Sequence, residues 1–138
     1  MKHRPATLLL ALCVTLTAHA VARAEEGASG FQLPSKTIGC VFGGKDMLEC
    51  DIAERVNKRA SRADCVQRWG RGFVMNTHGY ASRACGGDSI IESSLPVLAD
   101  GATWQRGSFV CRSEQATLTC SNADQHGFAL SRTEQKVF

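Results

Sequence analysis

Beyond its first two dozen residues the chain has few of the groups that catalysis and metal binding draw on. Two of its four histidines, His3 and His19, and one of its seven cysteines, Cys13, lie in an amino-terminal segment with the marks of a removable leader. That leaves His78 and His126 for proton chemistry. There is no Cys-x-x-Cys pair, and neither remaining histidine stands at ligand spacing from a cysteine, so no metal site and no cofactor is expected. Net charge is lacking too. Of 16 basic side chains, Lys2, Arg4 and Arg23 belong to the leader, which leaves 13 against 13 acids. A neutral chain has no global attraction for nucleic acid or an anionic membrane.

The leader is read from its order of parts. Lys2, His3 and Arg4 form a basic start, an apolar run continues from Ala6 to about Val21, and Ala22-Arg23-Ala24 supplies small residues for cleavage. This pattern predicts a signal peptide over residues 1–24, cut before Glu25. The apolar run is shorter than the roughly 20 residues of a spanning helix, so no membrane span is expected. Leu12 directly before Cys13 makes a poor lipidation site. Residues 25–30 are small and polar and read as a disordered linker. Residues 31–138 form one domain, of a size that supports one modest core.

Six cysteines remain: Cys40, Cys50, Cys65, Cys85, Cys111 and Cys120. An even count in an exported chain predicts three disulfides, but count alone allows 15 pairings. Alternation narrows the choice. Ile38, Cys40 and Phe42 alternate with Gly39 and Val41, and Leu48, Cys50 and Ile52 alternate with Glu49 and Asp51. Period two means a strand with one buried face. Folded about the turn-rich Gly43-Gly44-Lys45-Asp46, Cys40 faces Cys50, Phe42 faces Leu48 and Ile38 faces Ile52. A slip of one residue would lose core face and bridge together. Phe109 and Cys111 alternate with Val110 and Arg112, Leu118 and Cys120 with Thr117 and Thr119, and the short link Glu114-Gln115-Ala116 closes a second hairpin with Cys111 facing Cys120, which leaves Cys65 for Cys85. Each bridge closes a loop whose entropy is about 3 kcal/mol in the chain-entropy model.

Elsewhere the signals are shorter. Ser61-Arg62-Ala63-Asp64 is a partial capping box, and it predicts a short helix from Arg62 to Trp69 with Gly70 as its stop. Gly72–Met75 and Tyr80–Arg83 read as strands around Asn76-Thr77-His78-Gly79. Pro96 to Trp104 reads as loop and strand, and Phe128–Ser131 as a further strand. Many short strands with one small helix predict a mostly β fold, a small antiparallel sandwich or barrel built from hairpins. Two internal matches hint at duplication: His78-Gly79-Tyr80-Ala81 with His126-Gly127-Phe128-Ala129, and Trp69–Phe73 with Trp104–Phe109. They need different offsets.

Over roughly residues 31–132 the chain resembles an uncharacterised family of small secreted bacterial cysteine-containing proteins, a domain of unknown function. The resemblance rests on Leu33-Pro34-Ser35 before Ile38-Gly39-Cys40, on Cys50-Asp51-Ile52, on Trp69-Gly70 and on Cys85-Gly86-Gly87-Asp88-Ser89. It continues in Trp104 and Gly107 before Phe109-x-Cys111, Leu118-Thr119-Cys120-x-Asn122, His126-Gly127-Phe128 and Leu130-Ser131-Arg132. Lys36-Thr37 departs from the Gly-Asn expected there, which implies a different turn before the first core strand. The resemblance implies secretion and brings no catalytic residue with it.

Several constellations suggest chemistry, and each also has a plainer structural reading. Cys85–Ser89 resembles the nucleophile loop of trypsin-like serine proteases, but Ile90-Ile91 replaces the glycines that shape the oxyanion hole. The plainer reading is a glycine turn with Asp88 capping nearby N–H groups. Glu49, Asp51 and Asp88 could form an acid pair, but Glu49 and Asp51 share the outward, solvated face of a strand. His126 with Asp124 or Asp88 is the one constellation that would suit a small hydrolase; both histidines precede glycine in turns, where a structural role is the rule. Arg55, Lys58, Arg59, Arg62, Arg68 and Arg71 form the one charge-biased segment, which with Trp69 is the candidate contact for an anionic partner. Trp69 and Trp104 could stack on sugars, yet tryptophans in small β cores usually anchor packing.

The balance favours a non-enzymatic secreted or periplasmic binding module for a protein or cell-envelope component. One specific form is an inhibitor of a secreted hydrolase, because a preorganised loop loses little entropy on binding. Peptide mapping of the oxidised protein is expected to yield Cys40–Cys50, Cys65–Cys85 and Cys111–Cys120 fragments. A Cys50–Cys65 fragment would refute the hairpin registers on which the fold class rests.

Overall fold

The computed structural model describes residues 28–43, 46–56, 65, 71–85 and 88–138. They form ten strands in two antiparallel sheets, with no helix among the described residues. The first sheet holds β1 (Gly30–Gln32), β2 (Ile38–Gly43), β3 (Met47–Ile52), β4 (Gly72–Asn76) and β5 (Ser82–Ala84) in sequence order. The second holds β6 (Thr103–Arg106), β7 (Phe109–Glu114), β8 (Thr117–Ser121), β9 (Gly127–Leu130) and β10 (Gln135–Val137), also in sequence order. Each sheet is therefore a five-stranded meander. The helix predicted over residues 62–69 lies outside the described residues, Cys65 excepted. The signal peptide also lies outside them. Gly30, placed in the expected linker, already pairs with Val41 in the sheet, and the Ser29 carbonyl accepts from the Phe42 N–H.

Both hairpins have the register that alternation predicts. Ile38 faces Ile52, Cys40 faces Cys50 and Phe42 faces Leu48; Cys111 faces Cys120 and Ser113 faces Leu118. The structure holds three disulfides, Cys40–Cys50, Cys65–Cys85 and Cys111–Cys120. The two hairpin bridges join directly opposed residues, with Cα atoms 4.0 and 4.1 Å apart.

The two sheets face each other across one core, and the core is a matched pair of rows. Across the first sheet runs Phe31, Cys40, Cys50, Phe73 and Arg83. Across the second runs Trp104, Cys111, Cys120, Phe128 and Val137. Equivalent members meet: Phe31 packs on Trp104 with ring centroids 5.1 Å apart, and Phe73 on Phe128 at 5.7 Å. The sulfurs of Cys40, Cys50 and Cys120 lie within 4.8 Å of one another, so the two hairpin bridges are stacked in the middle. The two sheets thus carry equivalent rows, and the correspondence between them differs from the motif matches. Phe128 is the counterpart of Phe73 rather than of Tyr80, and Trp104 is the counterpart of Phe31. Trp104 is fully buried and has no face for a sugar.

The crossover between the sheets also seals an edge. Residues 93–98 run along β1: Gln32 N–H donates to the Pro96 carbonyl, Leu98 N–H donates to the Gln32 carbonyl, and the Gln32 amide donates to the Leu95 carbonyl at 2.6 Å. An edge covered in this way cannot recruit another strand. Just before it, Ile91 packs over Gly39 and the Ile90 N–H donates to Asp51 Oδ2 at 3.2 Å. Asp51 is buried, so the outward face of β3 is not the solvated face that alternation suggests. Capping in this stretch comes from Asp51 and from Ser89, whose hydroxyl accepts from the Ile91 N–H.

Turn chemistry explains two further points. Lys36 has φ +58°, the left-handed conformation that glycine adopts most readily. Gln115 and Ala116 both have positive φ, as a two-residue primed hairpin loop requires, although neither is glycine. Gly127 is needed for a different reason: a Cβ there would be driven into the Cys120 carbonyl. We expect Gly127→Ala to cost about 3 kcal/mol or more and Ala116→Gly to gain about 0.5–1 kcal/mol by removing left-handed strain. Urea unfolding of the oxidised proteins measures both. A Gly127→Ala midpoint equal to the parent's would contradict the close approach of β9 to β8.

Candidate functional site

One end of the molecule gathers the residues with polar chemistry. The β4–β5 loop, residues 77–81, and the β8–β9 turn, residues 122–126, lie side by side there, joined by the Ala123 N–H donating to the Thr77 carbonyl. Asn122 holds them together. It is buried, and its side-chain amide donates to the Asn76 carbonyl at 2.9 Å and to the Gly79 carbonyl at 2.8 Å. Its Oδ1 accepts from the Asp124 and His126 N–H groups, both at 3.1 Å. A buried amide with every direction used fixes its surroundings, because losing any partner leaves a polar group unpaired in the core.

On this frame sit four side chains. Asp124 accepts from the Gly79 N–H through Oδ2 at 2.8 Å and pairs through Oδ1 with His78 Nδ1 at 3.0 Å. The Gly79 N–H, and after it His78, hold the Asp124 carboxyl below the ordinary aspartate range. Tyr80 lies over the His126 ring, with centroids 4.1 Å apart and planes tilted by 38°. Tyr80 is 82 % exposed, the most exposed of the large hydrophobic side chains among the described residues. Gly79, with φ +84°, makes the bend that lifts Tyr80 out.

Sequence reasoning singled out His78, His126 and Asp124, and the structure brings all three to this end. It pairs them differently from the hydrolase constellation. His78 holds the Asp124 carboxylate, while His126 stacks on Tyr80. Asp88 is elsewhere, beside the Asp51–Ile90 contact at the far end of β3. Among the described residues no serine, threonine or cysteine side chain hydrogen-bonds either histidine. Tyr80 and Asn122 were not singled out for function. A tyrosine after His-Gly carries no signal without knowing that the loop protrudes.

The other candidates fare less well. Glu49 is partly buried, and burial followed by the Asp51 charge pushes its carboxyl above the ordinary range. Lys58, Arg59, Arg62, Arg68 and Trp69 lie outside the described residues. Of the same segment, Arg71 donates from Nε to the Ile52 carbonyl at 3.4 Å, and Arg55 has its pKa lowered by burial and then by the Arg71 charge. Among the described residues the close group of three metal-capable side chains is Cys40, Cys50 and Cys120, whose sulfurs are spent in disulfides. At the opposite end, between the β1–β2 loop and the β7–β8 turn, lies an apolar hollow of about 230 Å³ lined by Leu33, Pro34, Ser35, Asp100, Ser113 and Ala116.

Because the Asp124 carboxyl is depressed in the folded protein, its contacts stabilise the loop pair above the unfolded aspartate pKa. That contribution is lost as pH falls through the lowered folded value. Carboxyl-detected NMR titration should place Asp124 below the other exposed aspartates. In His78→Ala it should rise only part of the way back, since the larger cause, the Gly79 N–H, remains.

A family model described as "Family of unknown function (DUF6636)" matches residues 9–138. No curated protein and no solved structure matches.

Proposed function

Starting from the fact that the chain belongs to this family of unknown function, which hands down no activity, we propose that it is an exported, non-enzymatic binding module. Its contact surface is the loop end bearing Tyr80, His126, His78 and Asp124. The observation that carries the reading is Tyr80: a large aromatic ring, 82 % exposed, on a loop fixed by a buried amide. An exposed ring costs solvation and offers nothing to the core, and aromatic residues on rigid supports are the usual anchors of recognition. Preorganisation supports the inhibitor form as well, since the loop has little freedom left to lose.

Two features support export: the leader-like start and the six bridged cysteines. A His–Asp pair open to water, with side chains 72 % and 43 % exposed, is a weaker basis for catalysis, because proton transfer there gains nothing from desolvation.

Immobilised oxidised protein should retain a component of cell-envelope extract. Tyr80→Ala should lose it by about tenfold or more, the scale of an aromatic anchor, with unchanged thermal unfolding. Retention that is equal in the parent and in Tyr80→Ala would remove this surface from consideration.

A further inference from the structure

We infer that the Tyr80 surface binds a saccharide chain; this rests on the binding-module reading and narrows it to a ligand class. The first argument is the shape of the apolar part. Tyr80 has one face against His126, at 4.1 Å between centroids, and its high exposure puts the other face in water. A single flat ring backed by a second ring is a platform of the width of one pyranose, whose C–H face is apolar and whose edge is polar.

The second argument is the hydrogen-bonding character beside the ring. Asp124 is fixed by the Gly79 N–H and by His78, and it remains an acceptor at neutral pH because its carboxyl is held low. With Nδ1 of His78 turned to Asp124, its Nε2 is left pointing away from that pair, within reach of a ligand hydroxyl. The ligand facing these groups must supply donors together with an apolar face. A polyhydroxylated ring does both at once.

The third argument is size. Protein partners of standard affinity cover about 800 Å² on each side with several apolar anchors. Here Tyr80 protrudes beside polar groups, with Phe138, less exposed, on the strand edge next to Gly127, which suits a narrow ligand read one or two units at a time. An organic cation is the nearest alternative for a ring beside a carboxylate. However, exposed cation–π contacts contribute only about 0.5–1 kcal/mol.

The test uses the full disulfide-bonded protein and two defined probes, the β-1,4-linked tetramers of glucose and of N-acetylglucosamine, followed by amide NMR shifts at millimolar concentration. At least one tetramer should shift Gly79, Tyr80, Asp124 and His126. Tyr80→Ala should weaken that binding about tenfold or more, while Tyr80→Phe, which keeps the stacking face, should stay within about threefold. Asp124→Asn should weaken it in a protein that thermal unfolding still shows to be folded at the assay temperature. Shifts from neither tetramer, or shifts indifferent to Tyr80→Ala, overturn the proposal. So does a response to tetramethylammonium with none to the sugars. A protein from envelope extract that requires Tyr80, with no sugar binding, defeats the saccharide assignment and leaves the binding-module reading intact.

Discussion

Everything in this molecule hangs on two disulfides that touch. Cys40–Cys50 and Cys111–Cys120 each tie a hairpin at directly opposed residues, and the bridges stack where the sheets meet. A core this small cannot rely on area alone. Each bridge contributes about 3 kcal/mol in the chain-entropy model, against a typical net stability of roughly 5–15 kcal/mol for a whole domain. The bridges also set geometry. A hairpin locked at its central row cannot slip, so Phe31, Phe73, Trp104 and Phe128 are delivered to fixed places on either side of the sulfurs. The aromatic contacts between sheets follow from the covalent registers within them.

That chain of causes reaches the candidate site. β9 lies so close to β8 that only glycine fits at 127, and β9 begins where the 122–126 turn ends. With both strands anchored, the turn holds Asn122 still, and Asn122 holds the loop carrying Tyr80. Rigid strands thus pass their order to an exposed ring through one buried amide. The His126-Gly127 pair is first a structural device, and the imidazole gains its place under Tyr80 from that device.

How much of this was legible in the sequence depended on the range of the cause. The hairpins were readable because period-two alternation and cysteine spacing are local and agree. β1 and β10 have three residues each, too few for a period, and their places come from pairing with β2 and β9. Asp51 read as solvated because its neighbours alternate; it is buried because residues 90–91, far along the chain, lie over it. The internal repeat was sought in the His-Gly pairs because turns reuse the same few residues. Its real trace is aromatic-Gln followed by two cysteine strands, Phe31-Gln32 with Cys40 and Cys50 against Trp104-Gln105 with Cys111 and Cys120. The site was half legible: its histidines and Asp124 drew attention, whereas Tyr80 needed the protrusion and Asn122 needed its two distant partners, the Asn76 and Gly79 carbonyls.

The correspondence between the halves also locates where function entered. Two residues beyond Cys50 stands Ile52, and two beyond Cys120 stands Asn122; both are buried at the end of equivalent strands. In the first half that position is apolar and simply fills the core. In the second it is an amide with four polar directions to satisfy, and no core of side chains could satisfy them. Backbone must come to it, and the loop after β4 does so through the Asn76 and Gly79 carbonyls. The turn after β8 closes on its other side through the Asp124 and His126 N–H groups. The unmet demands of one buried polar group therefore pull a loop of one half onto a turn of the other. Symmetric packing alone would have left those loops apart. The ring, the imidazoles and the carboxylate are collected where the two halves cease to be alike.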